Sequence, residues 1–227
     1  MENLNKYVEH TLLKQDATKA ELIKLFDEAK QYNFLGVCVN PCYVPLAKEN
    51  LKDSDVKIVT VIGFPLGANT TKTKVFETVN AINDGADEID MVINVTKLKD
   101  RENDYIVDEI KQIKHACQGH NLKVIIETDL LDKDEIKLAC ELCVKGGADF
   151  VKTCTGFSEG KATPEDVMLI KSNTDMYIGV GIKASGGIRT YHDAVALIEA
   201  GATRIGTSSG VKIMQEYKKM QENQNLQ

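Results

Sequence analysis

The sequence predicts an α/β chain folded as one (β/α)8 TIM barrel. Three observations point there. Short β-rich runs alternate with longer amphipathic runs from end to end. A helix–Gly-Ala–strand joint recurs at Gly85-Ala-Asp87, Gly147-Ala-Asp149 and Gly201-Ala-Thr203, with glycine suited to the left-handed helix cap. Eight such units in 227 residues average about 28 residues each, the size of a compact barrel. No Pro-, Gly- or Ser-rich linker interrupts them, so a single domain over residues 1–227 is expected.

The first expected strand, Tyr7–Thr11, is the weakest, because Glu9 and His10 break its apolar character. A seven-stranded or doubly wound fold would absorb that problem and stays open as an alternative. Thr18-x-x-Glu21 reads as a capping box, and Leu22, Leu25, Phe26 and Ala29 continue it with the stripe of a core-facing helix. Gly36–Val39, Lys57–Ile62, Glu88–Ile93 and Leu122–Glu127 follow as strands, several nearly continuous in apolar residues, as parallel strands covered by helices should be. Cys140 and Cys143 form a Cys-x-x-Cys inside a helical stretch, Asp134 to Lys145. There, i and i+3 share a face, so core packing is favoured over a redox or zinc site. Asp149–Thr153 is the sixth strand. Thr163-Pro164-x-Asp166 resembles a capping box with proline at the first helical position. Tyr177–Lys183 and Thr203–Gly206 complete the set, and a polar, glutamine-rich tail from Gln215 to Gln227 is expected to fray at its end.

Composition excludes several classes. Hydrophobic residues make up 43% and charged residues 27%, ordinary for a soluble globular protein. The net charge is −6 with no long basic run, which argues against nucleic acid or an acidic membrane as partner. Met1 to Thr18 lacks an apolar signal-peptide core, and no apolar stretch approaches a membrane span of ~18 residues. Six cysteines without a secretory signal suggest reduced thiols and a cytoplasmic location. The four histidines are scattered, so a metal-dependent mechanism has little support.

The chemistry collects at two strand-end lysines. Lys152 stands in Asp149-Phe-Val-Lys-Thr-Cys-Thr-Gly-Phe157 and Lys183 in Gly179-Val-Gly-Ile-Lys-Ala-Ser-Gly-Gly-Ile-Arg189. An ammonium ion is costly to bury. A neighbouring cation disfavours the protonated form, and a neutral lysine attacks carbonyl compounds. Moving a lysine from ~10.4 to about 7 makes it roughly a thousandfold more available as the free amine, or roughly 4 kcal/mol of barrier. Strand alternation puts Tyr177, Gly179, Gly181 and Lys183 on one face, with the glycines leaving space inside the barrel, and Phe150 and Lys152 on another shared face. Asp90, on the face of Glu88 and Val92, would set an inward carboxylate opposite the lysines, as a buried ion-pair partner, a base, or both. Ala184-Ser-Gly-Gly-Ile188 and Gly206-Thr-Ser-Ser-Gly210 follow strands seven and eight, where barrels frequently bind phosphate.

These motifs closely resemble the deoxyribose-phosphate aldolase family of class I aldolases. The likeness rests on Glu88-Ile-Asp-Met-Val-Ile-Asn94, Phe150 to Phe157, Gly181 to Arg189 and Gly206-Thr-Ser-Ser209. It extends to His10-Thr-Leu-Leu13, Gly36-Val-Cys-Val-Asn-Pro41, Val61-Ile-Gly-Phe-Pro-Leu-Gly67 and Val124-Ile-Ile-Glu-Thr128. The resemblance implies reversible cleavage of 2-deoxy-D-ribose 5-phosphate to acetaldehyde and D-glyceraldehyde 3-phosphate, with no metal or organic cofactor. It implies that Lys152 forms the Schiff base, that Lys183 lowers its pKa and shares in proton transfer, and that Asp90 moves protons through a water. Gly186, Gly187, Ser208 and Ser209 would hold phosphate, and Thr11, Cys38 and Thr155 would line the pocket. The implied partners are the phosphosugar, acetaldehyde and further copies of the chain, in a homodimer or higher oligomer. Three positions depart from the family pattern, which usually has aspartate at Glu9, proline at Gln15 and serine at Cys154. Another Schiff-base aldolase or transaldolase, and an inactive phosphosugar-binding barrel, are the competing readings.

Overall fold

The computed structural model describes residues 3–177 and 179–224. Eight parallel strands close into a barrel in sequence order, each paired with its chain neighbours and the first with the last. They are β1 (Val8–Leu12), β2 (Gly36–Val39), β3 (Lys57–Ile62), β4 (Glu88–Val92), β5 (Asn121–Ile125), β6 (Phe150–Lys152), β7 (Gly181–Ser185) and β8 (Arg204–Thr207). The helices are α1 (Lys19–Gln31), α2 (Val44–Leu51), α3 (Thr71–Asp84), α4 (Val95–Lys99), α5 (Asn103–Ala116), α6 (Lys133–Gly146), α7 (Pro164–Thr174), α8 (Tyr191–Ala200) and α9 (Gly210–Gln224). The main apolar core lies between barrel and helices and includes Leu22, Phe26, Ile89, Ile110, Val124, Val151 and Ile205. Cys140 and Cys143 are fully buried within it, as the spacing on α6 predicts.

Local chemistry explains the boundaries. At the start of α1 the Thr18 hydroxyl accepts the Glu21 N–H while Glu21 Oε2 accepts the Thr18 N–H at 2.7 Å, a complete capping box. At α7 only half of the expected box forms. Thr163 caps the Asp166 N–H, but the Asp166 carboxylate turns away to accept the Thr128 hydroxyl at 3.2 Å. The Gly-Ala joints behave as read: Gly85 and Gly147 cap α3 and α6 at φ 112° and 84°, in the left-handed region.

Strand one is present because its two polar residues face opposite ways. Glu9 points into a charged barrel interior, and His10 points outward, with Nε2 2.8 Å from Glu28 Oε2 on α1. Strand seven differs from expectation. Tyr177 closes the turn after α7, its N–H donating to Thr174 O, and Gly179 has φ 96°. Ile178 lies outside the described residues. The ladder begins only at Gly181, whose N–H donates to Asp149 O at 2.8 Å. Tyr177 and Gly179 therefore line no barrel face. The space inside comes instead from Gly181, where a Cβ would meet the Phe150 ring, and from Gly206, where it would meet the Lys183 chain at 3.0 Å. Strand five ends two residues early, because Glu127 is left-handed at φ 58°. The polar tail is helical to Gln224, and residues 225–227 lie outside the described set.

Candidate active site

Register brings the charged residues together. Lys152 pairs with Lys183 across β6 and β7, and Asp90 pairs with Lys123 across β4 and β5. Paired residues on parallel strands point to the same side, so all four enter the barrel. Asp90 Oδ2 accepts from Lys152 Nζ at 2.8 Å and from Lys183 Nζ at 2.6 Å. Its other oxygen accepts from Lys123 Nζ at 3.0 Å. Lys183 also donates to Glu9. Lys123 lies 2.6 Å from Glu88 Oε2 and 3.4 Å from Glu9 Oε1, and Lys57 reaches Glu88 from the barrel's lower rim at 2.8 Å. Three ammonium groups and three carboxylates are thus interleaved along the axis, all essentially out of solvent.

Such a cluster is stable only if every charge is matched. Burial alone would raise the Asp90 carboxyl, but Lys123, Lys152 and Lys183 outweigh it and hold it well below the usual carboxylate range. Burial alone would likewise lower Lys183, but Asp90 and Glu9 outweigh it and raise it above the ordinary lysine value. Lys183 is therefore a fixed cation. Glu88, buried but facing Lys123 and Lys57, falls to about 2. The β1–β3 side of the interior is apolar, with Leu13, Cys38, Val59 and Val61 packed together. Desolvation pushes the Cys38 thiol up to about 11.

A cavity of about 420 Å³ opens above the cluster at the C-terminal ends of the strands. It brings together Lys152, Lys183, Thr11, Thr155, Gly186, Gly187 and Ser208. Asp90 lies beneath it, and Cys38 is buried in the wall behind. Ser209 is half-buried and does not line the cavity; its N–H donates to the Thr207 hydroxyl at 2.9 Å. Cys154 is fully buried and turned toward the Thr128 hydroxyl at 3.4 Å, its thiol raised to about 11 by burial, so it offers no exposed oxidisable group in the site. Glu9 and Lys123 complete the cluster, and Lys14, Phe157 and Arg189 join the cavity lining, without having been singled out from sequence as site residues. Lys123 had a signal, a lysine inside an apolar strand, and Arg189 lies in the Gly-Gly-Ile-Arg run.

A nucleophilic amine at the floor, a fixed cation and carboxylate below it, and a glycine- and serine-lined rim can take an aldehyde bearing a distal anion.

Comparison with known proteins agrees with this arrangement. Residues 5–216 match the model of the DeoC/LacD family aldolases. A curated deoxyribose-phosphate aldolase from Geobacillus sp. (strain WCH70) is 58% identical over 214 residues, covering 94% of this chain and 95% of the relative. Deoxyribose-phosphate aldolase 1 of Staphylococcus aureus (strain MRSA252) is 57% identical over 210 residues, covering 92% and 94%. A solved tetrameric deoxyribose phosphate aldolase from Aeropyrum pernix superposes with a TM-score of 0.89 at 34% identity, covering 96% of this chain and 92% of that one.

Proposed function

The chain belongs to the DeoC/LacD family of aldolases, and from that premise we propose that it cleaves 2-deoxy-D-ribose 5-phosphate reversibly to D-glyceraldehyde 3-phosphate and acetaldehyde through a Schiff base on Lys152. The observation that carries this reading is the sharing of one carboxylate oxygen, Asp90 Oδ2, by Lys152 and Lys183 at the floor of the cavity.

Lys152 gives up its ammonium proton to solvent and its free amine attacks the aldehyde carbon of the open-chain sugar, and loss of water leaves an iminium. The C2–C3 bond then breaks. Its electron pair moves into the iminium to form an enamine, and the C3 hydroxyl gives up its proton as that carbon becomes the aldehyde of glyceraldehyde 3-phosphate. Protonation at C2 and hydrolysis release acetaldehyde and restore the amine. The iminium is the electron sink, so the reaction needs no cofactor. Lys183, held as a cation by Asp90 and Glu9, keeps a fixed positive charge beside the reacting amine. Asp90 orients both lysine side chains and moves protons through a water. The sugar's phosphate is held by backbone N–H groups of Gly186 and Gly187 and by Ser208, with Lys14 and Arg189 supplying positive charge at the cavity; Ser209, expected to join them, stays outside the lining.

Exposed Leu66 and Phe76, at 76% and 68%, fit a homo-oligomer, which gel filtration with light scattering tests. Among the described residues no helix is long and apolar enough to cross a membrane, and the six free cysteines fit a reducing, cytoplasmic setting. The reaction is tested by following glyceraldehyde 3-phosphate release from the sugar phosphate. Turnover that Lys152→Met abolishes supports the reading. A wild-type protein that binds the sugar phosphate without turnover makes it an inactive binding barrel instead.

A further inference from the structure

Glu127 is a buried carboxylate with no cation. It is 4% exposed, stands just past β5 in a left-handed conformation at φ 58°, and forms no ion pair with any lysine or arginine among the described residues. Three donors satisfy it instead: the Thr155 N–H at 2.9 Å, the Thr155 hydroxyl at 2.6 Å and the Ser158 hydroxyl at 3.2 Å. Asp129, two residues on, accepts the same Ser158 hydroxyl and the Gly160 N–H. The two carboxylates tie down residues 155–160. That loop packs in turn on the phosphate-loop glycines, with the Ala162 N–H donating to Gly186 O at 3.0 Å.

The Thr155 hydroxyl has one proton and two lone pairs. Its proton goes to Glu127 Oε2, and one lone pair accepts the Phe157 N–H at 3.1 Å. One acceptor position is left, on a residue that lines the cavity with Lys152. We infer that Glu127 is a positioning residue that fixes the Thr155 hydroxyl as a hydrogen-bond acceptor for a substrate hydroxyl. This inference rests on the reading of the cavity as a sugar-phosphate aldolase site.

The arrangement contains its own switch. A protonated Glu127 has to donate at that 2.6 Å contact, which turns the Thr155 proton toward the cavity and makes the hydroxyl a donor. The titratable groups facing Glu127 are Asp129 on its own segment, the Cys154 thiol from the end of β6, and Asp166 from α7 through Thr128. None is a cation. Burial pushes the Glu127 carboxyl up, the Thr155 hydrogen bonds draw it back, and Asp129 adds to the rise. KM for a hydroxylated substrate therefore rises as pH falls through this titration.

The test uses free 2-deoxyribose, which has no phosphate to titrate, with wild type, Glu127→Gln and Thr155→Val. The glutamine amide donates where the carboxylate accepted, and the valine removes the hydroxyl while leaving Glu127 its other two donors. Both variants are expected to raise KM about tenfold at neutral pH and to lose the acid-side rise in KM that wild type shows. In Glu127→Gln the borohydride-trapped adduct with acetaldehyde, which has no hydroxyl, stays within about twofold of wild type, and the double variant's KM is no worse than that of either single one. Additive losses in the double variant, or a variant KM that keeps the wild-type pH dependence, overturn the proposal. If the wild type forms no acetaldehyde adduct, the proposal falls together with the aldolase reading beneath it.

Discussion

Lys123→Met removes one ammonium group from the middle of the buried charge cluster and leaves its partners in place. Lys123 is fully buried and contacts Glu88, Asp90 and Glu9 at 2.6, 3.0 and 3.4 Å. In the variant, Asp90 keeps Lys152 and Lys183, and Glu9 keeps Lys183 and, at 3.7 Å, the half-buried Arg204. Glu88 keeps only Lys57, which is 41% exposed, and the half-buried Asn121 amide. The interior cluster changes from three cations against three anions to two against three. Removing one partner of a buried pair costs about 3–5 kcal/mol, a large share of a total stability of ~5–15 kcal/mol. For a chain of this size that lowers Tm by roughly 6–20 °C. The assay is urea unfolding at pH 7 with thermal melting alongside. Adding Glu88→Leu to Lys123→Met removes the stranded carboxylate and should recover much of the loss, because a matched buried pair is often no more stable than apolar side chains of similar volume. A Lys123→Met protein within about 1 kcal/mol of wild type, or a double variant less stable than the single one, would refute the view of the interior as a charge-matched cluster.

Three further outcomes follow from the same geometry. Lys183→Leu removes the fixed cation from Asp90 and Glu9 and lowers kcat by about 100-fold or more, whereas Lys183→Arg keeps the charge and loses less; a leucine variant with near-wild-type kcat would make Lys183 purely structural. Ser208→Asp sets a negative charge on the cavity rim and raises KM for the sugar phosphate far more than for deoxyribose; equal losses on both substrates would remove the phosphate assignment. Because the folded Glu88 carboxyl lies at about 2, below its unfolded value of ~4.3, it contributes about 3 kcal/mol that is fully present above the unfolded value and lost as pH falls toward 2. Glu88→Gln should accordingly lose stability at pH 7 and show a flatter decline over that acid window by urea titration.

How much of this was legible in the sequence depended on whether a single local signal spoke for each residue. Lys152, Lys183 and Asp90 stood out because each interrupts an apolar strand on a predictable face, and parallel register then brings them to one point. Lys123 carried the same signal but lies mid-strand, away from any loop motif, so only its pairing with Asp90 reveals it. Glu9 and His10 obscured β1 because both faces of that strand are polar, one toward the cluster and one toward Glu28. The start of β7 differs from expectation because Tyr177 to Lys183 reads as a continuous β-rich run, in which Gly179, free to take the positive φ that delays the strand, passes for a strand glycine. Glu127 was quoted within a motif, yet its part depends on a left-handed backbone and a contact 28 residues away, which no periodicity encodes.

The central claim is that Lys152 carries the covalent intermediate on the floor of the cavity. Incubation with acetaldehyde and borohydride, followed by peptide mass spectrometry, tests it most directly. The expected result is a single ethyl group on the peptide containing Lys152, lost in Lys152→Met and retained in Ser208→Asp. An ethyl group on Lys183 with Lys152 unmodified, or no adduct on either, would contradict it.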